Sequence, residues 1–562
     1  MPAALPADKS PWPLVGNSAR YAWMAKADAW YSGDPGRLSA VYGDSTVRSS
    51  VGGPGTTLNP QGAVQRLIGA VRSRTWSAKS ANEADTRRHL PIAEDIARHS
   101  ARVLFSERLQ IRVMGPTHEA DGPEGADGEP QWLKGDPTPE TLAAQKRLDA
   151  NLAALEFDSM LLASGEVSSV LGSSAFRIVY DKTARMTRPI IMRQDADSVI
   201  PLYSWGQLAG VIFWDVVLKD DNGVVWRHLE LHEVGTGRAL HGLYKGTGDN
   251  LGERQPLDIL GPRTPALVAL APALDAEGGL TITNTPDATT ATSIPNILPD
   301  PQDRKNLAGR SDFTPAVMDL MDAADAVFTQ MMDTIDDAKS RIILSKSMLE
   351  SGGPGGGVSF DLDQRIFVKV KTPPGDGNQA GLPIEKVQFE MHVEEYLRAV
   401  DSITRKAVEA AGYNSRSDAG EGGRDVTATE INSDDALSMG TRDAKIRYQQ
   451  PKLAALLTTY LATDVEAFAP RDPDTNELIQ AYPVEVTFPD IIQPTRLELA
   501  NVAKALKEAG AASVYELVKT VNPEWNDAQI NIEVERITTA ATTIDPVTFG
   551  GAGEGVGAGD GI

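Results

Sequence analysis

The stretch TPAVMDLMDAADAVFTQMMDTIDDAKSRIIL, residues 314–344, decides how this chain is read. Thr314 followed by Pro315 is a helix start: a side-chain oxygen can cap the first N–H groups, and proline sits where no donor is missed. Val317, Leu320, Met321, Ala324, Val327, Phe328, Met331, Ile335, Ala338 and Ile342 then recur at steps of three and four. On a helical wheel they share one face. Asp319, Asp322, Asp325, Asp333, Asp336 and Asp337 cluster on the opposite one. The spacing predicts one rod running to Leu344, about 45 Å long at ~1.5 Å per residue, with an apolar back and an acidic front.

Two further long helices follow. Between the first and second lies a compact insertion, 347–384, in which Gly352–Gly357 leads into short strands at 358–362 and 366–370 and a Pro373-Pro374-Gly375 turn. The second helix is expected over 389–411, with Val393, Tyr396, Leu397, Val400, Ile403, Ala407 and Val408 as its stripe. The loop Asn414 to Asp425 is rich in glycine, serine and charge. The third helix opens with a capping-box pattern, Thr427-x-x-Glu430, and continues to about Phe468. Gly440 and Pro451 lie inside it, and an interior proline predicts a bend. A strand at 484–488 and a helical unit at 495–541 complete the pattern. The closing GGAGEGVGAGDGI has nothing to pack with and is expected to be disordered.

N-terminal to the first rod the pattern is mixed. The first ~80 residues read as loop-like, with Trp12, Tyr21, Trp23, Trp30, Tyr31 and Tyr42 expected to dock onto a larger body. An amphipathic helix is predicted over 90–105, a loop over 115–140 and a second helix over 138–164. From Ser174 to about 245 the period changes to two, with strands at 175–180, 210–217 and 224–231 and a hairpin turn at Asp221-Asn222-Gly223. Residues 275–310 read as a connector. The fold class is therefore α+β, mostly helical.

Composition narrows the chemistry. The 562 residues carry 54 Lys+Arg against 77 Asp+Glu, a formal charge of −23, so bulk charge does not suit this chain to gripping nucleic acid. The absence of cysteine removes disulfides, thiolate nucleophiles and Cys-ligated metals, and fits a reducing compartment. No apolar run approaches a membrane span, and Met1 to Pro13 lacks a secretory core, so a soluble chain made in the cytoplasm is expected. No G-x-x-x-x-G-K-[ST] occurs, and Gly352–Gly357 precedes a strand rather than a helix. His228-Leu-Glu230-Leu-His232 is the best metal candidate, since alternate residues share a strand face; a half-exposed polar face explains it as well. Acid pairs of glycosidase type arise by chance in any acidic protein, and the methionines at 318, 321, 331 and 332 suit adaptable packing. No enzyme, cofactor or metal is expected.

Several stretches, taken in order, resemble the portal proteins of tailed double-stranded DNA bacteriophages, of the siphovirus type. They are AWYSGDPGRL (29–38), HLPIAEDIARHSARVLFSE (89–107), RSDFTPAVMDLMDAADAVFTQMMDTIDDAKSRI (310–342), TATEINSDDALSMGTRDAKIRYQQPKL (427–453) and VNPEWNDAQINIEVERI (521–537). The resemblance implies a wing over 1–312, stem helices over 313–346 and 385–412, a clip over 347–384 and a tunnel loop over 413–426. A kinked helix and strand over 427–489, a crown over 490–545 and a tail over 546–562 follow. It implies a homo-oligomeric ring, of twelve subunits in that family, at one capsid vertex. Double-stranded DNA passes through such a ring without sequence specificity. Its partners are the terminase large subunit, a head–tail connector and the major capsid protein, with no membrane. In the loop, Arg416, Asp418, Gly420, Glu421, Gly422, Gly423 and Arg424 would face the DNA.

Physical considerations agree with that picture. An apolar stripe on each rod (Val317, Leu320, Met321, Phe328, Met331 and Ile335) suits burial between subunits of a ring. A front of Asp319, Asp322, Asp325, Asp333, Asp336 and Asp337 would repel phosphates and so avoid stalling DNA, although an ordinary solvated face looks the same. Two rival readings are a non-viral helical scaffold and a virion carbohydrate hydrolase.

Overall fold

The computed structural model describes residues 4–43, 88–116, 137–180, 186–337, 341–344, 350–351, 358–359, 384–387, 392–414 and 428–489, and parts of 496–537. The chain divides into two units, Met1–Pro489 and Asp490–Ile562. The fold mixes helix and sheet.

The N-terminal segment, expected as a loop, contains two helices, α1 (Ser18–Ser32) and α2 (Pro35–Gly43). Gly33, at φ 62°, ends α1 in the left-handed conformation that a C-terminal cap requires. The aromatic docking is observed: Trp12 and Trp30 are buried, Trp12 against a sheet and Trp30 among helices. Helix α3 (Ile92–Phe105) buries Ile92, Ile96 and Leu104, and β1 (Gln110–Val113) follows. The single helix expected over 138–164 is instead two, α4 (Pro139–Ala154) and α5 (Phe157–Leu171). Thr138 caps α4 through the Thr141 N–H, and Glu156 at φ 51° breaks the rod. The break lets Phe157 and Leu161 reach the same core as Leu148 and Leu152.

Two antiparallel sheets form the centre. The strands are β2 (Ser173–Val179), β3 (Ile190–Asp195), β4 (Val199–Ser204), β5 (Gln207–Lys219), β6 (Val225–Glu233), β7 (Arg238–Gly246) and β8 (Glu253–Gln255). After the short helix α6 (Pro265–Leu270) come β9 (Gly279–Thr281) and β10 (Ala291–Pro295). These last two lie in the stretch read as a connector. The larger sheet runs β4-β5-β6-β7-β8 with β9 on β7, and the smaller runs β10-β2-β3. Gly223, at φ 80°, turns the β5–β6 hairpin where Asp-Asn-Gly predicts it. Alternation divides β5 between two cores. Val211 and Phe213 pack with Ala175 and Ala291 of the smaller sheet. Ile212 and Trp214 face the other way, toward Trp12.

Helix α7 (Pro315–Asp337) follows, with Thr314 Oγ1 3.4 Å from the Val317 N–H. The rod is shorter than its apolar spacing predicts: Arg341–Leu344 is a strand, β11, so Ile342 belongs to a ribbon and not to the helical stripe. In the insertion, β12 (Glu350–Ser351) pairs with β13 (Val358–Ser359); the strand expected at 366–370 lies outside the described residues. Strand β14 (Ile384–Val387) pairs antiparallel with β11 and leads to α8 (Val393–Ala410), which packs along α7. Helix α9 (Ala428–Phe468) continues through Pro451 as a single element of 41 residues. Near its end, buried Asp464 accepts from Arg147 Nε and Nη2 (2.7 and 2.9 Å) and from Asn151 Nδ2 (3.0 Å), tying α9 to α4. Strand β15 (Val484–Thr487) pairs with β1. In the second unit, α10 (Arg496–Glu508) precedes α11 (Val514–Val521), which Ser513 caps through the Glu516 N–H.

Candidate functional site

Helices α7 and α8 make an arm. It leaves the body at Asp312, is joined farther along by the β11–β14 ribbon, and returns at Tyr413. At the root the apolar stripe is already occupied. Val317, Met318, Met321 and Ala324 are buried in one cluster with Trp30 of α1, Ile92 and Ile96 of α3, and Ala407 and Tyr413. This corrects the expectation that Val317, Met321 and Met331 pack between subunits, since all three are buried within this chain. The body supplies the apolar partner because α1, α3 and α5 converge on the first turns of α7. Leu320, Phe328 and Ile335 are only half-buried.

The acidic front also divides. Asp319 and Asp333 are exposed and Asp322 is half-exposed. Asp325 is fully buried, accepting from the Leu90 N–H at 2.8 Å and meeting His89 Nδ1 at 2.8 Å. It anchors the entry to α3 and cannot belong to a channel face, which corrects the expectation. The side chains of Asp336 and Asp337 lie outside the described residues.

The most heavily bonded polar group near this arm is one that periodicity does not reveal. Lys445 of α9 places its Nζ 2.6 Å from Asp312 Oδ2, 2.7 Å from Tyr413 Oη and 2.8 Å from Ser100 Oγ. Asp312 also accepts from Ser169 Oγ (2.6 Å), Tyr413 Oη (2.9 Å) and Asn296 Nδ2 (2.8 Å). Six segments, through Ser100, Ser169, Asn296, Asp312, Tyr413 and Lys445, therefore meet at one carboxylate and one ammonium. Burial lowers the Lys445 pKa against the opposing pull of Asp312, and burial raises that of the Tyr413 phenol, with Asp312 adding to it. A buried ion pair persists only where its remaining valences are satisfied, as here. Gly172 makes the approach possible: at φ 88° its missing Cβ would lie 2.8 Å from the Arg310 carbonyl carbon. On α9, Ser438, Arg442, Lys445 and Gln449 are all buried at helical spacing. In sequence, such a polar stripe cannot be told from a solvated face.

The His228–Glu230–His232 face is mostly covered: His232 is buried, and His228 and Glu230 are half-buried. Alternation does put the three residues on one side of β6, but that side faces the smaller sheet. Arg177 Nη1 donates to Glu230 Oε2 at 2.7 Å, His232 Nε2 lies 2.7 Å from Glu230 Oε1, and His232 Nδ1 lies 2.9 Å from Thr290 Oγ1. His228 and His241 stack, with centroids 5.4 Å apart and planes 4° from parallel. Burial pushes His228 down to about 4 and also lowers His241. Burial alone would raise Glu230, but Arg177 and His232 hold its carboxyl well below the usual range. Both His232 nitrogens have protein partners. Among the described residues no group of three or more His, Cys, Asp or Glu is arranged to hold a metal ion.

Arg416, Asp418, Gly420, Glu421, Gly422, Gly423 and Arg424 lie outside the described residues, as does the glycine-rich tail. Only the start of that loop lies among the described residues: Tyr413 is in the buried hub, and the Asn414 N–H donates to Ser438 Oγ at 2.9 Å. No described helix is long and apolar enough to cross a membrane.

No family model matches the chain, and no curated protein matches it in sequence. Among solved structures, a chain from the neck of an empty GTA particle computed with C6 symmetry is similar at TM-score 0.37 and 11% identity. That match covers 79% of this chain and 90% of the other. A chain from the virion of a native gene transfer agent (GTA) particle is similar at TM-score 0.35 and 11% identity, with 79% and 90% covered.

Proposed function

We propose that this protein is a portal-type subunit of a phage-like particle. It forms a ring at one capsid vertex and serves as the conduit for double-stranded DNA during packaging and ejection. The observation that carries the reading is the arm: two paired helices, α7 and α8, joined through a β insertion and rooted in an α+β body. A 41-residue helix, α9, returns through that body, and a separate helical unit follows. A structural subunit of this kind needs rigid rods tied firmly at one end, and the Lys445–Asp312–Tyr413 hub supplies the tie.

In this reading the exposed acids Asp319 and Asp333 face the channel and repel phosphate. Arg416 and Arg424 of the loop after Tyr413 touch the DNA weakly, and the half-buried Leu320, Phe328 and Ile335 complete contacts between subunits. The protein is not an enzyme and needs no cofactor. A terminase large subunit supplies the energy, a head–tail connector and the major capsid protein dock around the ring, and twelve copies are expected. The assembled site is the virion, and synthesis is in the bacterial cytoplasm. Negative-stain imaging of the purified protein tests this. Rings with a central hole are expected; monomers and dimers at every salt and protein concentration would count against it.

A further inference from the structure

Trp205 is 100% exposed, at the tip of the β4–β5 hairpin. It is also the only aromatic at positive φ among the described residues, at 53°, followed by Gly206 at 79°. Two successive positive φ values are the signature of a tight two-residue hairpin turn, whose first position is ordinarily Asn, Asp or Gly. A bulky side chain is an outlier there, and water gives an indole no reason to occupy it. The turn therefore presents an aromatic knob.

The same chain carries a cavity that suits an indole. An open groove of about 520 Å³ lies at the other end of the hairpin, walled by Trp12, Tyr21, Met24, Leu171 and Trp214, with Asp197 on its lining. Trp12 and Trp214 meet edge-on with centroids 5.0 Å apart, and Trp214 Nε1 donates to Tyr21 Oη at 3.2 Å, so the walls are set before anything binds. Arg37 and Asp28, also on the lining, are paired with each other. What the groove offers is aromatic and aliphatic surface with a carboxylate acceptor, and an indole is an apolar body with one N–H donor.

A chain cannot fill its own groove. Val199, at the base of β4, pairs with Phe213 beside Trp214, whereas Trp205 lies beyond the far end of the strand. Six residues of strand at ~3.3 Å each put roughly 20 Å between knob and groove, farther than an indole can reach back. A second copy has no such constraint. We infer that Trp205 of one copy seats in the Trp12–Tyr21–Trp214 groove of the next, joining subunits head to tail through two different patches. Contacts of that class generate rings when the rotation closes. The inference rests on the ring reading above and names one of its contacts.

The full chain without cysteine makes a clean test. Trp205→Asn removes the indole but suits the positive φ of the turn, so it keeps the fold. Buried aromatics are common interface anchors, and association measured by mass photometry should weaken at least about tenfold. Separately, cysteines placed at exposed Gln207, beside the knob, and exposed Ala25, on the groove lining, should be bridged between copies by a short bis-maleimide, giving a ladder of oligomers. If the parent forms rings while Trp205→Asn assembles identically and no bridge forms, this contact is wrong and the ring reading stands. If the bridged ladder forms but rings never close, the contact stands and the ring reading falls. A chain that stays monomeric and unbridged throughout overturns both. Should Trp205→Asn assemble normally yet lose capture of a different virion protein, the indole serves that partner and the inference is overturned.

Discussion

Lys445 and Asp312 lie 133 residues apart in sequence and 2.6 Å apart in space, with side chains only 1% and 2% exposed. The pair sits where α7 leaves the body, α8 returns to it and α9 crosses it. It is therefore one of the ties between the arm and the body, beside the apolar cluster around Met318 and the Asp325–Leu90 bond.

Removing one member should cost far more than removing both. Lys445→Met leaves Asp312 charged and buried, and should destabilise the fold by about 3–5 kcal/mol. Combining it with Asp312→Asn should recover a substantial part of that loss. Tyr413→Phe removes one donor to the carboxylate and should cost about 1–2 kcal/mol. Urea denaturation of the three variants checks the order.

Acidification should weaken the two-sheet core. The folded His228 titrates near 4 because burial disfavours its charge, whereas the unfolded chain takes up a proton near 6.5. Between those values the unfolded state binds more protons. Stability is therefore full above about pH 6.5 and declines as pH falls toward 4, by about 2–4 kcal/mol in total. His241, lowered for the same reason, adds in the same direction. Urea midpoints from pH 7 to 4.5 should fall, and His228→Asn should flatten the slope; an unchanged slope in the variant would count against His228 as its source.

The acids of α7 should separate into two kinds. Asp325→Ala strands the Leu90 N–H and His89, and should cost about 1–3 kcal/mol. Asp333→Ala, at an exposed position, should stay within about 0.5 kcal/mol. Under the conduit reading, only the second change alters DNA passage without altering thermal stability. Melting curves beside a packaging assay separate them.

Arg416→Glu with Arg424→Glu should leave ring assembly intact and change packaging or DNA retention, because under the conduit reading the loop between the two long helices lines the channel and these are its only two cations. Rings of the double variant that package and hold DNA like the parent would remove the loop from the conduit.

What the amino-acid sequence determined by itself is the type of each strongly periodic element. One-sided burial is written directly into residue spacing, so α3, the opening of α7, the presence of α8, the start of α9 and the β5–β6 hairpin were legible; of the α8 stripe only Val400 and Ala407 are buried, and Leu397 is exposed. Breaks were less so: nothing in residues 138–164 announces that Glu156 turns left-handed, and the helical α1 was hidden by flanking Gly and Pro. Tertiary structure decided which polar residues are solvated. Asp325 and Asp333 read alike on one rod, yet Asp325 meets residues 235 and 236 positions away while Asp333 is exposed. Lys445 likewise sits in a polar run of α9 that could as well have faced solvent. A charged side chain can be satisfied by water or by a buried partner of opposite charge. Both environments call for the same residue type, and only the path of the rest of the chain settles which one it meets.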